Sequence, residues 1–116
     1  MKPVLWTKIF HFSASFSKGT EVRGHNFTLA VTAEYAGGMD EAAAEKKIED
    51  GLIRKIHSRD LSLHVDFLKN TEINDLNLLK AFLPIVSWEI APLKLHSLAL
   101  ERDSRTRLEL PAEAAL

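Results

Sequence analysis

Glu21, Arg23 and His25 stand two residues apart in the stretch "EVRGHNF". In a β-strand that spacing points all three side chains to one face. A carboxylate, a guanidinium and an imidazole converging there could bind a polar ligand or shuttle a proton. The plainer alternative is a solvated Glu–Arg pair at a strand end beside an ordinary sheet histidine. A metal site at His25 would need companions. His11, His57, His64 and His96 are the other imidazoles, and nothing in their spacing groups them. The chain has no cysteine, which excludes disulfides, thiolate metal sites and cysteine nucleophiles however it folds.

The elements that must carry these residues can be read from periodicity. Residues 4–16 are rich in Val, Ile, Phe and Trp with partial alternation, and predict a strand. Residues 25–35 alternate more clearly: His25, Phe27, Leu29, Val31 and Ala33 share one face, Asn26, Thr28, Ala30 and Thr32 the other. Gly37-Gly38 ends the strand. From Met39 to His57 the spacing becomes helical, with Ala44, Ile48, Leu52 and Ile56 four apart and Asp40 as N-cap. A connector follows, with a short extended piece around His64 to Leu68. Asn74 or Asp75 then caps a second helix whose apolar side is Leu78, Leu79, Phe82, Val86 and Ile90. Pro84 is expected to kink or break it. Pro92 opens a final hairpin with its turn at Asp103-Ser104. The order β-β-α-α-β-β predicts an α+β fold, a four-stranded antiparallel sheet with two helices on one face and open sheet edges.

Length and charge narrow the function classes. A chain of 116 residues suits one domain, spanning 1–116, without repeats or a linker. Fifteen Lys and Arg against sixteen Asp and Glu give a net charge of -1, so no basic field recruits nucleic acid or an anionic membrane. Arg102, Arg105 and Arg107 cluster near the C-terminus, which reads as a solvated face more readily than as an anion site. No apolar run approaches a membrane span, and "MKPVLWTKIF" is no secretory h-region, so the expected location is cytoplasmic.

Five short motifs, in this order, resemble the 6-pyruvoyl-tetrahydropterin synthase and 6-carboxytetrahydropterin synthase family of the T-fold. "FSASF" at 12–16 is similar to the family's Phe-Ser-Ala-Ser-His, and "VRGHNF" at 22–27 to Leu-His-Gly-His-Asn-Tyr. "KIHSRDL" at 55–61 sits where the family has Leu-Asp-His, and "INDLN" at 73–77 where it has Pro-Thr-Ser-Glu-Asn. "LALE" at 98–101 resembles its last strand, which ends in a glutamate. The resemblance spans nearly the whole chain.

What the resemblance implies is a zinc site of three histidines, a proton-transfer cysteine, an Asp-His pair and a ring-anchoring glutamate. This chain departs at most of them. The three ligand positions hold Phe16, Arg23 and His25; phenylalanine cannot ligate and a guanidinium repels a cation. The cysteine position is Gly19, and the Asp-His pair is replaced by His57-Ser58. Some relatives use a glutamate for the cysteine, which puts Glu21 beside His57 as a candidate acid–base residue. Glu101 matches the glutamate whose carboxylate takes two parallel N–H bonds from a 2-amino-pyrimidinone edge. Leu76 replaces the motif glutamate, while Asn77 is kept and reads as structural. The expectation is a zinc-free, diverged member without a cofactor: a pseudoenzyme binding a pterin or purine through Glu101, Arg23 and His25. The implied assembly is a homo-oligomer, a trimer or hexamer closed through sheet edges. Two alternatives stand beside it. One is an enzyme with altered, metal-independent chemistry on a dihydropterin, using Glu21, His57 or His25. The other is an oligomeric scaffold without a ligand.

Overall fold

The structure, a computed structural model, describes residues 3–18, 21–35 and 41–115. The expected features at Gly19, Gly37-Gly38, Met39 and Asp40 lie outside the described residues.

Two fourteen-residue strands, β1 (Leu5–Lys18) and β2 (Glu21–Glu34), form a long antiparallel hairpin. Its register pairs Phe12 with Phe27 and Phe10 with Leu29, so the apolar halves of both alternations fall on one face. Phe10, Phe12, Phe27, Leu29, Val31 and Ala33 are all buried there, and the Phe12 and Phe27 rings stack at 4.9 Å. β4 (Leu95–Arg102) pairs antiparallel with β2, and β5 (Thr106–Pro111) with β4. The turn between them falls at Asp103-Ser104 as expected. Both residues have positive φ (53° and 58°), as at the centre of a type I′ turn, and the Arg105 N–H closes it onto Arg102 O at 3.2 Å, in a three-residue loop between the paired Arg102 and Thr106.

The sheet has one strand more than expected. β3 (Arg59–Asp60) runs parallel to β1 opposite Ala14 and Ser15, giving the order β3-β1-β2-β4-β5. A two-residue strand leaves no alternation to read, and flanking backbone bonds hold it. Ser58 N–H donates to Ser13 O at 2.6 Å and Leu61 N–H to Ser15 O at 2.7 Å. The extended piece expected around His64 to Leu68 is instead a 3₁₀ turn over Asp66–Leu68.

The helices cover the apolar face of the sheet. α1 (Glu41–Ile48) runs through a π-helical segment, Glu49–Ile53, into the short α2 (Arg54–Ile56). Ala44, Ile48, Leu52 and Ile56 are fully buried, as their spacing predicts. In an α-helix each step of four residues overshoots a full turn by about 40°, so three steps would rotate the stripe by about 120°. The wider π turn in the middle takes up that drift and keeps all four on the core. α3 (Asp75–Ile90) buries Leu78, Leu79, Phe82, Val86 and Ile90, and Asn74 caps it by accepting the Asn77 N–H at 2.8 Å. The helix is continuous through Pro84. Pro84 and Lys80, whose carbonyl loses its partner, are both exposed, so water can satisfy what the proline removes. No helix among the described residues is long and apolar enough to cross a membrane.

The opposite face of the sheet carries no helix among the described residues. Cross-strand polar pairs cover part of it: Thr7 with Thr32 at 2.9 Å, His11 Nδ1 with Thr28 Oγ1 at 3.1 Å, and Ser13 Oγ donating to Asn26 Oδ1 at 2.9 Å.

Candidate functional site

β4 ends opposite Phe27, at Arg102, while β2 continues back to Glu21. Residues 21–26 therefore project past β4 with β1 as their strand partner. On the covered face the sequence Phe27, His25, Arg23, Glu21 runs from the core out to solvent. Between this arm and the N-terminus of α3 lies a cleft of about 710 Å³. Phe16, Glu21, Arg23 and His25 line it from the arm, Thr71, Asn74 and Asp75 from the approach to α3, and Arg102 from the end of β4.

Four of the charged side chains in the cleft form two ion pairs. Arg23 holds Glu21 through Nε at 2.9 Å and the terminal nitrogen at 2.8 Å, with both side chains more than half exposed. Arg102 Nε donates to Asp75 at 3.0 and 3.3 Å, and the Asp75 side chain is only 13% exposed. At the inner wall, His25 is 12% exposed and its Nδ1 lies 2.6 Å from Asp103 Oδ2. The Phe16 ring stacks on the imidazole at 5.0 Å. Asp103 also accepts the Asn26 N–H at 2.9 Å and donates its own N–H to Asn26 O at 2.8 Å, which ties the β4–β5 turn onto β2. The His25 and Asn26 hydrogen bonds hold the Asp103 carboxyl below its ordinary value of 3.8, against the small opposing effect of burial.

The structure thus brings Glu21, Arg23 and His25 together on one face. It places the other expected residues elsewhere. His57 is not among the residues of the cleft; its Nδ1 accepts the Ser13 backbone N–H at 3.1 Å, at the edge of β1. Glu101 pairs with Thr28 and Arg107, so it lies on the open face, opposite to His25. It is half-buried and has no ion pair among the described residues. His11 is on the open face, and His96 sits at the irregularity where β4 slips against β2. No cluster of three metal-ligating side chains occurs among the described residues.

Asp103, Asp75 and Arg102 are the site residues that sequence reasoning missed. Asp103 reads as a turn residue, and nothing local reveals that it faces a histidine 78 positions earlier. For Arg102 a signal existed: a residue next to Glu101 on a strand must face the other side of the sheet.

Comparison with solved structures finds the 6-pyruvoyl tetrahydropterin synthase of Caenorhabditis elegans, with a TM-score of 0.81, 16% identity and 96% of each chain covered. The chain has the fold of that synthase. No protein-family model and no curated protein sequence matches it. The T-fold expected from the five motifs is therefore present, with β3 added. The residues do not fit the three-histidine zinc centre that the resemblance implies. At its three positions Phe16 packs its ring on His25, Arg23 is engaged with Glu21, and His25 has committed Nδ1 to Asp103.

Proposed function

We propose that the protein binds a pterin- or purine-type ring on a T-fold scaffold without a zinc centre, with Glu101 as the ring anchor. The observation that carries this reading is a half-buried carboxylate, without an ion partner among the described residues, at the strand end that borders the cleft in a T-fold chain. A carboxylate in that state offers two parallel acceptor positions to the N–H pair of a 2-amino-pyrimidinone edge. Phe16 and His25 supply aromatic surface in the cleft for a flat heterocycle.

Glu101 and His25 belong to opposite faces of one sheet, so a single ligand touches both only where two copies meet. The proposal therefore includes a homo-oligomer, closed through the free β5 edge and the thinly covered β1 edge. Isothermal titration with 7,8-dihydroneopterin triphosphate tests the ring site. Saturable binding that Glu101→Ala abolishes supports it; equal heats from both proteins refute the anchor. Sedimentation tests the assembly, and a monomer at micromolar concentration would sink the shared site.

A further inference from the structure

The His25 imidazole is fixed from several directions. Phe16 stacks on it at 26° between ring planes, Phe27 meets it edge-on at 6.1 Å, and Asp103 holds Nδ1. Asp103 is itself immobilised by its two backbone bonds to Asn26. With its pKa lowered by those bonds, Asp103 is a carboxylate at neutral pH and can only accept. The hydrogen on the 2.6 Å contact therefore belongs to Nδ1. Neutral His25 is left with its lone pair on Nε2, and that atom has no protein partner among the described residues. No hydroxyl or ammonium group of the described residues bonds to it, which leaves Nε2 available to the contents of the cleft that His25 lines.

We propose that His25 and Asp103 form a general-base dyad that activates water in the cleft, giving it hydrolytic capacity toward small esters. Nε2 takes a proton as the water oxygen forms its bond to the acyl carbon. The imidazolium so formed is stabilised by the Asp103 carboxylate, and returns the proton to the alkoxide as the ester C–O bond breaks. Ester and water become acid and alcohol, with no cofactor in the balance. Asp103 is the positioning residue: it sets the tautomer and carries the counter-charge.

The test is hydrolysis of p-nitrophenyl acetate by the full chain, by His25→Gln and by Asp103→Asn, across pH 5 to 9 and in heavy water. The probe needs no ring anchor, so it reports on the dyad whether or not a pterin binds. His11, His57, His64 and His96 remain in all three proteins, and the differences isolate His25. Expected is a rate that slows in heavy water and falls at least about tenfold in each variant. An asparagine at 103 keeps an acceptor for the Asn26 N–H but offers its amide hydrogen to Nδ1, which turns the base into Nε2–H. Nitrogen NMR of the wild-type protein supplies a readout independent of folding in the variants. A protonated Nδ1 and bare Nε2 on neutral His25 support the dyad. The opposite tautomer, or equal rates in all three proteins, overturns it.

Discussion

Strand β2 is two different objects joined at Phe27. From Phe27 to Ala33 the covered-face residues are sealed under the helices, and each is fixed by neighbours that leave no room for choice. From Glu21 to Asn26 the same strand runs past the end of β4, and its side chains answer to a cleft and to solvent. One half is composed by packing, the other by what could bind beside it. The chemistry of the molecule begins where the core stops, and Phe27 and His25, two residues apart on one face, mark the border.

The most forceful way to test that division is Phe27→Ala. Phe27 is 1% exposed, stacks on Phe12 and meets His25 edge-on. Truncation removes a buried ring and leaves a cavity, an expected loss of about 3–5 kcal/mol in denaturant unfolding. A loss near 1 kcal/mol would mean that the covered half is far looser than its burial suggests.

Next in size is the helix that forms the far wall of the cleft. Asn74→Ala leaves the Asn77 N–H without its side-chain acceptor, and should cost about 1 kcal/mol. Asn77 also donates its side-chain amide to Glu72 O at 2.9 Å, so Asn77→Ala should loosen the same turn. If either change is silent in unfolding, the N-terminus of α3 is held by something other than its cap.

The core half was legible in the sequence and the projecting half only partly so, for a physical reason. Burial imposes a period, and the periods of β2, α1 and α3 can be read from Leu29, Ile48 and Phe82 without knowing what covers them. The π segment was not expected: the four-residue spacing of Ala44, Ile48, Leu52 and Ile56 predicts only a helix, and the wide turn at Glu49–Ile53 emerges in the structure. Pairings between distant segments have no period. Asp103 meeting His25, Arg102 meeting Asp75, and the two residues of β3 beside Ala14 each depend on a fold already formed. The i, i+2 grouping of Glu21, Arg23 and His25 was visible because it lies within one strand. Which face Glu101 takes required the register of β4 on β2.

The border between the halves should respond to acid. Asp103 has a lowered pKa in the folded chain, so it contributes stability that is fully present above its unfolded value of 3.8. That contribution is lost as pH falls through the lower folded value. The stability difference between wild type and Asp103→Asn should shrink as pH falls below about 4. Urea unfolding at several pH values measures it. A difference that persists undiminished well below pH 4 would mean that the carboxylate is not what holds the β4–β5 turn to β2.

The smallest expected effect asks whether the projecting half owes anything to the fold. Gly24 lies between Arg23 and His25, and a Cβ added there meets nothing within 4 Å. It borders a hollow of about 300 Å³ on the open face, beside Ser13, Ser15, Asn26 and Arg59. Glycine in a strand costs about 0.5–1 kcal/mol relative to alanine, through the freedom that the unfolded chain gains. With space for the methyl group, Gly24→Ala should stabilise the isolated chain by up to about that amount. The glycine would then be unnecessary to the protomer, and a loss of assembly or of ligand binding in the same variant would show the hollow to be occupied in the working state. A destabilised protomer would instead place Gly24 among the residues that packing dictates, and move the border between the two halves outward from Phe27.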